Sequence, residues 1–446
     1  MVVAFTGYKK AAMLASLTVL IGASAGCSGG SGTNGPANPG SSAKEAAPPS
    51  NEPVEITIRT GTADEEFNRT VREPLKKKFP NVTITKVGYD QKLQELIAAN
   101  KLPDMMQQAY TNMDEIIDID YAMNLDEMVK KYNVDLNRFN PDIVKVIRSA
   151  SVGKNELLLY PFLVQPFVLH YNKGIFDKFG VEYPKAGNTW DDLIELSKKL
   201  SRSQDGVNYR GLDAGLSVNR MQLQLSLPYV DAKTGKSLVG SHPGWTRFFQ
   251  TYQAVYSVPG NFPEGAKYGD GSKAFLETKN LAMYPHIVFL MNAPYEKAAK
   301  EGLSMGITTY PSFKDKPGVG SGLFGGGWAI SKQTKHKDLA FQMAMHLASD
   351  EVQTELAKIG VVTPLKNPEV QKKLYEGYEF AKGMDLSVIF KTTVAPPYEK
   401  TKYDGKAQPI VNSSVQNVFK SGADINTIMR EIDEKINKMV EEEKKK

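Results

Sequence analysis

Ser304 lies in Gly302-Leu303-Ser304-Met305-Gly306, the G-x-S-x-G spacing that exposes a nucleophilic serine on a strand-to-helix turn. Here a helix-like stretch precedes the serine and a strand follows, so the order that a catalytic elbow needs is inverted. Gly320-Ser321-Gly322-Leu323-Phe324-Gly325 has the G-x-G-x-x-G spacing of a dinucleotide loop, but Pro317-Gly318 precedes it and a strand, not a helix, follows. Gly235-Lys236-Ser237 ends like a phosphate loop, yet Val230 occupies the position of the required first glycine. The five histidines, His170, His242, His286, His336 and His346, form no pair at metal spacing with a carboxylate between them. Asp118 and Asp120 begin like a calcium loop that breaks at Ala122. These patterns assemble no catalytic constellation and call for no cofactor and no metal.

The elements that carry these residues read as alternating α/β. Residues 54–60 (VEITIRT) alternate apolar and polar as a strand does. A polar helix through Phe67 and Val71 follows, then a second strand over residues 82–87, a helix marked by Leu93, Leu96 and Ile97, and a third strand after Pro103-Asp104. Strand, helix, strand in this order implies a parallel sheet with helical crossovers. Thr189-Trp190-Asp191-Asp192-Leu193 opens a helix with a cap and two acids in its first turn. Trp245, Phe248, Phe249, Tyr252 and Tyr256 share one helix face, and Ile425, Ile428, Met429, Ile432, Ile436 and Met439 stripe a last helix.

The chain has 446 residues, 55 Lys+Arg against 50 Asp+Glu, 41% apolar residues and a single cysteine. A balance of +5 over this length is no signature of nucleic-acid binding. One cysteine excludes a disulfide framework. Lys9 and Lys10 precede an uncharged stretch over residues 11–25, which reads as a secretory signal peptide and not a membrane span. It ends at Ser24-Ala25-Gly26-Cys27. This resembles the bacterial lipobox, with Ser24 where leucine is usual, and implies lipidation of Cys27. Two or more acyl chains there would anchor the protein stably. The Gly/Ser/Pro-rich segment that follows reads as a flexible tether.

The segment from Tyr160 to Leu193 resembles the family 1 extracellular solute-binding proteins of bacterial ABC importers. The matching residues are Tyr160-Pro161, Leu169-His170-Tyr171-Asn172-Lys173-Gly174-Ile175-Phe176, Phe179-Gly180, Pro184 and Thr189-Trp190-Asp191-Asp192-Leu193. Two further blocks agree in order: residues 93–104, and Gly325-Gly326-Gly327-Trp328-Ala329-Ile330-Ser331 with the helix after it. The resemblance implies an α/β, two-lobed, periplasmic-binding-protein-like (type II) fold with a hinge and a ligand cleft between the lobes. Residues 1–26 would be the lipoprotein signal peptide and 27–53 the tether. One lobe would take 54–162 plus 306–348, the other 163–305 plus 349–446, with crossings near residues 162, 306 and 348. Ligand would sit at loops leaving strand ends, as in open α/β sheets generally.

By that criterion the candidate ligand contacts are Thr62 after the first strand, Tyr110, Thr111 and Asn112 after the third, Gln165 and Phe167 beside the first crossing, Tyr284 and His286 ending another strand, and Gly326 and Trp328 in the glycine run. Aromatic faces with fixed polar groups suit sugars. Trp190 and Trp245 read as packing residues, Trp328 equally as platform or core, and His286 as structural before ligand-binding. The reading is a monomeric, non-enzymatic receptor, lipid-anchored on the outer face of the bacterial cytoplasmic membrane. It would capture a small solute, an oligosaccharide first among candidates, and pass it to the transmembrane subunits of an ABC permease. Two alternatives stay open: a lipid-anchored secreted hydrolase using the Ser304 loop, and a sensor or adaptor presenting ligand on the same fold.

Overall fold

The computed structural model describes residues 53–151, 154–215, 217–288 and 292–445. The signal peptide, the tether and Cys27 lie outside the described residues.

Two five-stranded sheets carry the architecture. The first contains β1 (Val54–Arg59), β2 (Val82–Val87), β3 (Met105–Ala109), β4 (Tyr160–Val164) and β10 (Gly325–Ile330), in the order β2-β1-β3-β10-β4. β1 pairs parallel with β2 and β3, and β10 runs antiparallel between β3 and β4. The second contains β5 (Phe167–Asn172), β6 (Arg202–Gln204), β7 (Val207–Leu212), β8 (Leu281–Ile287) and β9 (Met305–Thr309), in the order β6-β7-β8-β5-β9. Parallel neighbours need a crossover, and helices between residues 64 and 78 supply the one from β1 to β2.

Local rules account for several helices. Thr189 caps the helix Trp190–Leu200 in a reciprocal box with Asp192, satisfying two of the donors that a helix start leaves free. The aromatic face of Pro243–Tyr256 is buried from Trp245 to Tyr256. The last helix, Ile425–Lys444, buries Ile428, Met429, Ile432, Ile436 and Val440. Ile425 and Met439, read as part of that stripe, are only partly buried against the same core.

The lobe boundaries differ from the expected ones. Ile307 and the rest of β9 pair with β5, from Asn172↔Met305 to Val168↔Thr309. The chain therefore stays in the second lobe past residue 306 and enters the first only on its way to β10. Nothing in MGITT specifies a sheet; the Ser312 carbonyl, accepting from Trp190 N at 2.9 Å, holds the following segment against the second lobe. Beyond residue 348, Val352, Leu356, Ala357, Leu365 and Val370 still pack into the first core, and Leu374 and Tyr375 into the second. The first crossing is Gln165-Pro166, between β4 and β5. The crossings are tied together: Val164 N donates to Val362 O (3.0 Å) and Gln165 N to Phe324 O (2.9 Å).

Candidate functional site

β1, β3 and β4 end, and β10 begins, along the edge of the first sheet beside the hinge, where two cavities open between the lobes. The end of β3 separates them: Gln107 to Ala109 line one, Tyr110 and Thr111 the other.

The smaller cavity, about 620 Å³, is walled by Thr62, Tyr89, Gln107, Gln165 and Gly326, with Asn292 from the second lobe. The hydroxyls of Thr60 and Thr62 both donate to Gln107 Oε1, at 2.6 and 3.0 Å. This orients the carboxamide, whose N–H pair has no hydrogen-bond partner among the described residues. Gly61 lets the Tyr89 ring lie against the strand end, where a Cβ would come within 2.7 Å of it and push the ring aside. That ring, 52% exposed, is held by the Arg59 guanidinium 4.4 Å from its centroid and by its hydroxyl, which donates to Gln107 O at 3.2 Å. The result is an open aromatic face beside fixed polar groups.

The larger cavity, about 800 Å³, sets Tyr110, Thr111 and Asp114 of the first lobe opposite Tyr398, Lys400 and Tyr403 of the second. Asp404 organises this far wall: its buried carboxylate accepts from the Tyr398 hydroxyl at 2.7 Å and from Thr401 N and Oγ1 at 3.1 and 2.7 Å. Burial pushes its pKa up against the pull of those donors. Lys400 Nζ spans the cavity and donates to Thr111 O at 2.9 Å, joining the lobes directly.

The structure brings Thr62, Gln165 and Gly326 together on one cavity and Tyr110 and Thr111 on the other. Phe167 lines a separate hinge cavity of about 420 Å³, packed against Phe324 at 4.7 Å and the Arg220 guanidinium at 5.4 Å. Four expected contacts line none of these cavities. Trp328 is 0% exposed, in the first core against Phe162 (5.1 Å). Tyr284 is buried in the second lobe's core. Asn112 faces solvent, its amide 3.3 Å from Glu115 Oε2. His286 stacks near Tyr284 (4.9 Å), and burial, reinforced by the charge of Arg220, lowers its pKa to about 2, so it stays neutral. The glycine run has a similar correction: a Cβ on Gly325 would lie 2.4 Å from Leu163 O and one on Gly327 2.5 Å from Tyr160 O. These glycines let β10 nestle against β4; the close approach is strand to strand.

Sequence reasoning passed over Tyr89, Gln107, Asn292, Asp114, Tyr398, Lys400 and Tyr403. The one local signal was Pro396-Pro397-Tyr398, a break followed by an aromatic; its position opposite Tyr110 is a tertiary fact. The Ser304 loop follows the helix Ala293–Lys300 and enters β9, so no strand-to-helix elbow forms there. Among the described residues no cluster of three or more His, Cys, Asp or Glu is placed to hold a metal, and no helix is long and apolar enough to cross a membrane.

A cleft lined from both lobes at strand ends, flanked by tied crossings, defines a receptor that encloses a small solute. The family model for bacterial extracellular solute-binding proteins matches residues 61–354, and the chain belongs to that family. It is 28% identical over 102 residues to the sn-glycerol-3-phosphate-binding periplasmic protein UgpB of Shigella flexneri, covering 23% of each chain. The chain thus spans less than a quarter of that relative's length in the match. Among solved structures it is similar to an ABC substrate-binding protein from Listeria monocytogenes in complex with cycloalternan (TM-score 0.68, 17% identity, 87% of this chain and 99% of that one). It is also similar to the sugar-binding protein MalE from Xanthomonas citri (TM-score 0.68, 17% identity, 87% and 98%).

Proposed function

We propose that this solute-binding protein captures an oligosaccharide between its lobes and delivers it to an ABC permease, without covalent chemistry. In this reading it acts on the outer face of the cytoplasmic membrane, as a monomer tethered through a lipid on Cys27. The observation that carries the ligand class is the pairing of tyrosine side chains with fixed hydroxyl and amide groups: Tyr89 with Thr62, Gln107 and Gln165 on one side of β3, Tyr398 and Tyr403 with Thr111 on the other. Sugar rings offer apolar faces and many hydroxyls, and such walls match both. The cycloalternan in the Listeria complex and the description of the Xanthomonas protein as sugar-binding point the same way.

Closure would be hinge motion at the crossings, driven by contacts that a ligand makes with both lobes at once. A thermal-shift screen tests the reading. A ligand at a hundred times its dissociation constant adds about 2.7 kcal/mol of apparent stability. At least one neutral or amino oligosaccharide is expected to raise the midpoint. A panel in which only peptides or amino acids do so would refute the sugar assignment.

A further inference from the structure

The larger cavity carries more acid than base: Asp114, Asp118, Asp231 and Glu399 against Lys400 and Lys402. These groups are not equally free. Asp231 Oδ1 accepts from the backbone of Lys233 and from Thr234 N and Oγ1. Lys400 is engaged with the Thr111 carbonyl. Asp114 is half-buried and has no hydrogen bond and no ion pair among the described residues. Burial raises its pKa, with Lys400 opposing and the Asp404 and Asp118 charges adding to the rise. Tyr110 beside it is 1% exposed, and its hydroxyl lies against the Phe162 backbone, turned to the first core. A partly desolvated carboxylate is costly until something donates to it, and an ionised carboxylate only accepts. An anion brought here would meet a net negative wall, whereas O–H or N–H groups would satisfy Asp114 between the Tyr398 and Tyr403 side chains.

We propose that Asp114 is a specificity-determining acceptor for the ligand, so that the captured solute presents a donor-rich, non-anionic group in this cavity. Adjacent hydroxyls of a neutral sugar and the ammonium of an amino sugar both supply that chemistry. The inference rests on the capture reading above and narrows it: sugar phosphates and uronates are excluded from this cavity.

The test is calorimetric titration of the mature protein and Asp114→Asn with maltotriose, mannotriose, a glucosamine trimer, a galacturonate trimer and glycerol 3-phosphate. A neutral or amino probe should bind the parent and bind Asp114→Asn at least about tenfold more weakly, the scale of a hydrogen bond to a charged group. Added salt should weaken an amino-sugar complex and leave a neutral one unchanged. A neutral or amino probe bound equally by parent and variant overturns this inference alone, as does an anionic probe that binds as tightly. Failure of every probe overturns the sugar-capture reading and this inference with it. A ligand-free control stands apart from both. The unfolding midpoint of Asp114→Asn should equal or exceed the parent's, because the carboxylate has no partner to lose; a clear fall would overturn its assignment as an unsatisfied acceptor.

Discussion

Replacing Trp328 separates packing from ligand contact at the residue whose sequence context allowed both. The side chain is fully buried, against Phe162 and far into the first core. Trp328→Ala removes roughly 150 Å² of buried ring; at about 25 cal/mol per Å² this is about 4 kcal/mol. That value falls within the roughly 3–5 kcal/mol usual for such truncations. It is a large part of a total stability of about 5–15 kcal/mol, so the variant should unfold at much lower urea. Trp328→Phe is the discriminating partner. It loses part of the ring, but it also removes an indole N–H that has no acceptor among the described residues, worth about 1–3 kcal/mol in the opposite direction. The phenylalanine variant should therefore stay close to the parent in stability. Urea titration followed by calorimetry with the best sugar is the assay. Affinity is expected to be unchanged in Trp328→Phe. A tenfold or greater loss of affinity at near-parent stability would place this ring against ligand and refute the argument.

His170 is fully buried, and burial, with the Arg220 charge adding, holds its pKa at about 4 against the pull of the Ile287 carbonyl. Since the unfolded value is about 6.5, its contribution is intact above pH 6.5 and is lost as pH falls toward 4. Between pH 7 and pH 5 that loss is about 2 kcal/mol, and urea midpoints that stay flat over this range would contradict it. Lys400→Ala deletes the bridge to Thr111 across the cleft. One charge-assisted hydrogen bond of about 1.5 kcal/mol corresponds to roughly tenfold faster ligand release, read by stopped-flow; an unchanged release rate would show that the bridge plays no part in holding the closed form. Cys27→Ser should release the protein from membranes into the soluble fraction, and continued co-sedimentation with vesicles would count against lipidation at that residue.

Features legible in the sequence are those set by nearest neighbours along the chain. The helix start with Asn188 or Thr189 as cap and acids in its first turn is written in a few residues, and the structure caps it with Thr189, boxed with Asp192. The aromatic spacing from Trp245 to Tyr256 becomes one buried helix face, and the alternation in β1 becomes a strand paired parallel on both sides within a mixed sheet. These follow from helix and strand periods, which side-chain order alone can express. Tertiary structure decided what depends on residues far apart. β9 joined β5, a partner more than a hundred residues earlier, and moved the second lobe crossing past residue 306. Gly325 and Gly327 turned out to lie against β4 and Gly326 against β3, and Trp328 is buried in the first core. Residues 395–403 came to stand across from Asp114 and Tyr110, completing a cleft wall that no local pattern announces. A period records which face of an element is apolar; which other element covers that face is settled only when the whole chain packs.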